Sequence, residues 1–97
     1  MEFIKETEGA ALVVKLSGRL DTNTAKQFEQ ELFGECEKNG SIILDFAELQ
    51  YLSSAGLRVL LAMQKKMSGK ALSLRNVNNN VMEVFEITGF VDVLNIV

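Results

Sequence analysis

The sequence predicts an α/β fold: one mainly parallel, mixed β-sheet that opens with an N-terminal hairpin and has helices packed on it. Three observations lead there. Helix-period segments alternate with strand-like ones along the whole chain. The central run Ile42, Ile43, Leu44 and Phe46 is almost continuously apolar, which suits a strand buried on both faces. That run also lies between two helical segments, the layout of βαβ crossovers that join parallel strands. No repeat and no proline-rich linker divides the 97 residues, so residues 1–97 are expected to form one domain.

Residues 2–6 and 10–17 read as the hairpin. Glu8-Gly9 supplies the turn, and Leu12, Val14 and Leu16 alternate with Val13 and Lys15. Ser17-Gly18-Arg19-Leu20-Asp21 breaks this pattern and reads as a loop. A helix follows from about Thr22 to Lys38, with Asp21, Thr22 or Asn23 as its cap and Ala25, Phe28, Leu32 and Cys36 as its core stripe. Asn39-Gly40 ends it.

Ser41 to Phe46 is the buried strand, and Ala47 to Leu52 reads as a connecting segment. A second helix runs from Ser53 or Ser54 to about Met67, apolar over a wide arc through Leu57, Val59, Leu60, Leu61 and Met63. Ala71 to Arg75 is a further strand, and Asn76 to Asn80 is a polar loop rich in capping residues. The last helix spans about Val81 to Thr88, and Gly89 sits where a left-handed cap belongs. Val91 to Ile96 reads as a short strand or one last turn. Phe28, Phe33, Phe85 and Cys36 are expected in the core.

Composition removes several function classes. The chain has no histidine and one cysteine, which excludes Ser-His-Asp and Cys-His catalysis and the usual zinc ligand sets. No catalytic residue, metal or cofactor is expected. The net charge is -3 and the only local cation pair is Lys65-Lys66, so direct nucleic-acid binding is not expected. One cysteine allows no internal disulfide and fits a reducing compartment. The N-terminus has neither a basic start nor an apolar signal core. No apolar stretch approaches the about 20 residues of a membrane span. A cytoplasmic protein is the expectation.

The informative stretch is Leu52-Ser53-Ser54-Ala55-Gly56-Leu57-Arg58. Two serines and a small Ala-Gly pair open a helix there. Helix N-termini present unpaired N–H groups and the positive end of the dipole, which a phosphate on Ser54 would meet. That phosphate would add about -1.5 to -2 charges, so a partner docked at the same helix would be repelled. Taken alone, a serine at this place is more often a plain N-cap, and Gly56 is accounted for by close packing of helix on strand. Arg58 reads either as a contact for a partner's carboxylate or as a solvated side chain.

Leu52 to Leu61 resembles the signature of STAS domains, the family of bacterial anti-sigma factor antagonists. Gly18-Arg19-Leu20-Asp21 resembles that family's loop after its second long strand. Ile43-Leu44-Asp45-Phe46 is similar to its central strand, and Thr88-Gly89-Phe90 with Asp92 to the end of its last helix. The resemblance implies phosphorylation at Ser54, the serine two positions before the glycine. It implies a partner surface around it, made of Asp21, Thr22, Asn23, Ser53, Ala55, Gly56 and Arg58. It also implies two protein partners, an anti-sigma factor serine kinase and a metal-dependent serine/threonine phosphatase. Many members carry aspartate where this chain has Ser53, which places a second hydroxyl beside the acceptor. Asp21 matches an acidic residue of the family and reads equally as a helix cap.

Two other readings compete with this one. A serine hydrolase would need a base to activate serine, and the Gly-x-Ser-x-Gly elbow is missing because Leu52 stands at its first glycine. The other keeps the fold and drops the switch: a constitutive STAS scaffold, or a subunit of a stress-signalling or lipid-transport complex.

Overall fold

The computed structural model describes residues 1–97. The chain forms β1 (Glu2–Glu8), β2 (Ala11–Leu20), α1 (Thr22–Leu32), α2 (Glu35–Lys38), β3 (Ser41–Leu52), α3 (Ser54–Lys66), β4 (Ala71–Arg75) and α4 (Asn79–Thr88). A 3-10 turn at Phe90–Asp92 follows. The sheet order is β1-β2-β3-β4, with β1 antiparallel to β2 and the remaining pairs parallel. The hairpin and both βαβ crossovers are those expected from the sequence.

Register explains the layers. Val14 pairs with Leu44 and Leu44 with Leu74, while Leu12 pairs with Ile42 and Ile42 with Leu72. Side chains alternate across a strand, so these rows share one face. They join Phe28 and Leu32 of α1, Leu60 and Met63 of α3, and Val81 and Phe85 of α4 in one core. Phe28 packs edge-on to Phe3 and Phe33, and Phe46 lies 6.5 Å from Phe85 between ring centres. Phe33 itself is only half-buried, and Cys36 is buried in the core as expected.

All the helices therefore cover the same face of the sheet, and the central strand is buried on its other face too, where Asp45 is covered by side chains and not by a helix. On the other face Ile43 is half-buried, and long charged side chains take the place of a helix layer. Lys15 pairs with Glu6, and Arg75 pairs with both Asp45 and Glu8. Apolar stems of such residues shield neighbouring surface, and Val13 on this face is fully buried.

Four boundaries differ from the sequence reading. The segment Ser17–Leu20 continues β2, and Ala47–Leu52 continues β3. The two extensions pair with each other, Glu48 with Ser17 and Leu52 with Leu20, across register shifts between Lys15 and Ser17 and between Gly18 and Arg19. Gly18, at φ +102, supplies backbone that other residues rarely adopt. The helix expected over 22–38 divides at Phe33-Gly34. Glycine is a weak helix former, and the chain tightens there with the Cys36 N–H donating to the Phe33 carbonyl. Finally, α4 starts at Asn79 because the Asn78 side chain caps it, accepting from the Val81 N–H at 2.9 Å. Gly89 ends α4 at φ +80, as expected.

The C-terminal segment is both of the things expected of it: one turn at Phe90–Asp92, then a strand-like return beside β4. The Leu74 N–H donates to Asn95, and the Val97 N–H to Leu74, each at 2.9 Å.

Candidate functional surface

The parallel pair β2 and β3 ends in register at Leu20 and Leu52. The next residue of each strand, Asp21 and Ser53, caps the helix that follows. Both helix N-termini thus emerge side by side from the carboxyl edge of the sheet. The strands run in sequential order with their crossovers on one face, so this edge has no switch point of the kind that opens a ligand crevice. It presents a surface.

Asp21 builds its cap tightly. Its Oδ1 accepts from the N–H groups of Asn23 at 3.0 Å and Thr24 at 3.1 Å, and its own N–H donates to the Thr24 hydroxyl at 2.9 Å. The Thr24 hydroxyl in turn donates to the Arg19 carbonyl at 2.7 Å. Desolvation pushes the Asp21 carboxyl up. The bonds from Thr24 and Asn23 and the Arg19 charge outweigh it and hold the carboxyl below its ordinary value. The Arg19 guanidinium lies 3.7 Å from Asp21 and 4.1 Å from the centre of the Tyr51 ring, a cation–π contact.

The two serines have different environments. Ser53 is half-buried, its N–H donates to the Leu20 carbonyl at 3.0 Å, and its Oγ accepts from the Gly56 N–H at 3.3 Å. Its carbonyl receives the first helical bond, from the Leu57 N–H at 2.9 Å. Ser53 is the cap, so its hydroxyl is engaged. Ser54 is the first helical residue, is exposed, and its hydroxyl has no partner in the chain.

Gly56 is buried where α3 crosses the end of β2. A Cβ there would lie 2.6 Å from a Leu52 methyl, 2.8 Å from the Leu20 carbonyl oxygen and 2.9 Å from Leu20 Cγ. Its place is under the surface, where it sets how closely α3 approaches the sheet.

Between α1 and α3 runs a shallow groove of about 290 Å³ lined by Thr22, Ala25, Lys26, Glu29, Ala55, Arg58 and Val59. Thr22, Ala55 and Arg58 from the sequence-based set meet in it. Asn23 is exposed on the first turn of α1 and lies outside the groove. Sequence reasoning missed Lys26 and Glu29, which follow Thr22 at i+4 and i+7 and so share its helix face. It also missed Arg19 and Tyr51, because neither segment keeps the alternation of a strand and their pairing lies beyond the register shifts.

Comparison with known proteins gives a consistent result. A family profile described as "Mlab, STAS domain" matches residues 4–96. The chain is 37% identical over 97 residues to BtrV of Bordetella bronchiseptica, provisionally named an anti-sigma factor antagonist, covering 96% of this chain and 83% of that one. It is 26% identical over 95 residues to the anti-sigma-B factor antagonist of Bacillus subtilis, covering 96% and 86%. Among solved structures it resembles the Bacillus cell fate determinant SpoIIAA in its phosphorylated form, with TM-score 0.74, 20% identity, and coverage of 99% and 91%. The unphosphorylated form of SpoIIAA gives TM-score 0.81 at 21% identity, covering 99% and 88%.

Proposed function

The chain belongs to the STAS domain family, and on that premise we propose that it is an anti-sigma factor antagonist whose partner binding is switched by phosphorylation of Ser54. Unphosphorylated, it binds a kinase-type anti-sigma factor through the edge formed by Asp21, Thr22, Asn23, Ser53, Ala55 and Arg58, with Gly56 setting the helix beneath. A sigma factor is thereby released. The kinase brings ATP to the same edge. Ser54 Oγ attacks the γ-phosphorus, the bond to ADP breaks, and the hydroxyl proton passes to a base on the kinase. The added phosphate repels the partner surface and ends the complex. A metal-dependent serine/threonine phosphatase delivers water to the phosphate and restores the hydroxyl. The chain supplies the acceptor and the docking surface, and the chemistry resides in its partners. The cytoplasm is the compartment that holds these partners and ATP, and no helix of the chain is long and apolar enough to cross a membrane.

The observation that carries this reading is the division between the serines. Ser53 takes the cap and leaves the Ser54 hydroxyl exposed and unbonded at the first position of α3. The SpoIIAA structure in phosphorylated form supports the same fold accommodating a phosphate. The test is phosphosite mass spectrometry after incubation with ATP and the histidine-kinase-like anti-sigma factors of the host. Phosphate on wild type and Ser53→Ala, and none on Ser54→Ala, is the expected result. Phosphate that persists on Ser54→Ala overturns the assignment.

A second reading is favoured by one residue. Ser53 stands where many family members carry aspartate, which removes a carboxylate beside the acceptor. A constitutive scaffold, or a subunit of a stress-signalling or lipid-transport complex, would use the same edge unmodified. Absence of phosphate with every such kinase, together with capture of a transporter ATPase, would select it.

A further inference from the structure

We propose that Arg58 is the chain's own ligand for a phosphate on Ser54, so that modification withdraws this cation from the α1–α3 groove as it adds negative charge. The inference rests on the reading of Ser54 as phosphoacceptor and adds what the phosphate does once it is there. Ser54 and Arg58 stand at i and i+4 of α3, one turn apart on the same face. An anion placed N-terminal to a cation at this spacing is the favoured order, because each charge then also complements the helix dipole. Both side chains are exposed, and Arg58 makes no ion pair in the unmodified chain. Its guanidinium is therefore available, and it matches the oxygens of a phosphate in two parallel hydrogen bonds.

The other charges of this edge are already engaged or placed elsewhere. Arg19 lies against Asp21 and the Tyr51 ring. Lys26 belongs to α1 across the groove, where Glu29 stands one turn further along its own helix. Before phosphorylation, Arg58 and Lys26 give the groove two cations against the single carboxylate of Glu29. That balance suits an acidic segment of a docking protein. After phosphorylation Arg58 turns toward residue 54, and the groove is left with Lys26 facing Glu29. The switch then has two components, a charge gained at Ser54 and a charge withdrawn from the groove.

The test uses full-length protein carrying genetically encoded phosphoserine at position 54, so that it needs no kinase. The phosphate resonance is followed by phosphorus NMR through its second ionisation. In wild type the midpoint should lie about 0.3 pH unit below that of Arg58→Gln, the effect of one exposed i,i+4 ion pair. Lys26→Gln, which changes net charge equally, should move the midpoint by less than half as much, and Arg58→Lys should restore part of the shift. Equal midpoints in wild type and Arg58→Gln, or equal shifts for both glutamine variants, overturn the clamp. Because the phosphate is installed directly, such a failure leaves the Ser54 assignment standing. Failure of that assignment is read separately, by the kinase reaction.

Discussion

The Leu20 carbonyl oxygen lies 2.8 Å from the position a Cβ on Gly56 would occupy, so the approach of α3 to the end of β2 is set by the missing side chain. Backbone cannot yield as the end of a flexible side chain can. Gly56→Ala must push α3 outward or strain the Leu20–Ser53 link, at a cost of about 1–3 kcal/mol by overpacking. Chemical denaturation should show a lower midpoint with an unchanged slope. An unchanged midpoint would mean that α3 is free to shift.

Adjacent serines should differ in stability. Ser53→Ala removes the oxygen that receives the Gly56 N–H and should cost about 1 kcal/mol, a few degrees in melting temperature. Ser54→Ala removes no hydrogen bond and should stay within about 0.5 kcal/mol of wild type. Equal losses in thermal denaturation would contradict the assignment of Ser53 as the cap.

Binding should respond to charge at position 54. Ser54→Asp should weaken the complex with the anti-sigma factor about tenfold or more, as like or unpaired charge at an interface does. Ser54→Ala should bind as wild type does. Calorimetry that finds the same affinity for both would remove the charge switch.

Acid should weaken the domain partly through Asp45. This carboxylate is almost fully buried on the helix-free face of the sheet. Burial pushes it up, but the Ala47 N–H, the Asn76 amide and Arg75 outweigh that and hold it below its ordinary value. A carboxyl lowered in the folded state stabilises fully above its unfolded pKa of about 3.9. That contribution is lost as pH falls through the lower folded value. Asp45→Asn should therefore lower stability at neutral pH and flatten the acid limb of a melting-temperature profile. Parallel profiles for wild type and variant would refute this.

Gly34 should be improvable. It sits between α1 and α2 at φ -66 and ψ -28, ordinary helical backbone, and a Cβ there would meet nothing within 4 Å. Gly34→Ala should stabilise the domain by about 0.4–1 kcal/mol, mainly by restricting the unfolded chain. A loss of stability on denaturation would show that the break at Phe33-Gly34 is required.

How far the sequence could be read follows from these same residues. The hairpin, both crossovers and the start of α3 were legible because their apolar spacing matches one period throughout. The ends of β2 and β3 were not. Ile42, Leu44 and Phe46 keep to every second residue, but the register shifts beside Ser17 and Gly18 move the inward positions to Leu49 and Leu52. A period of two therefore fails where the strand continues. The break at Gly34 was missed for the opposite reason, since Phe28, Leu32 and Cys36 hold helical spacing straight across it. Around Ser54 the residue types were legible and their division of labour was not. Which of two neighbouring hydroxyls caps the helix is decided by where β3 ends.

The link from the Ser53 N–H to the Leu20 carbonyl ties the starts of two helices to two adjacent strand ends. A partner docking on this edge meets a surface whose backbone entropy was already surrendered during folding, so its binding energy is consumed in ordering side chains and not chain. The backbone of such a surface also cannot relax away from a new charge. A phosphate placed on it would be felt as strain across the whole contact, and the complex should respond in its lifetime more than in its rate of formation.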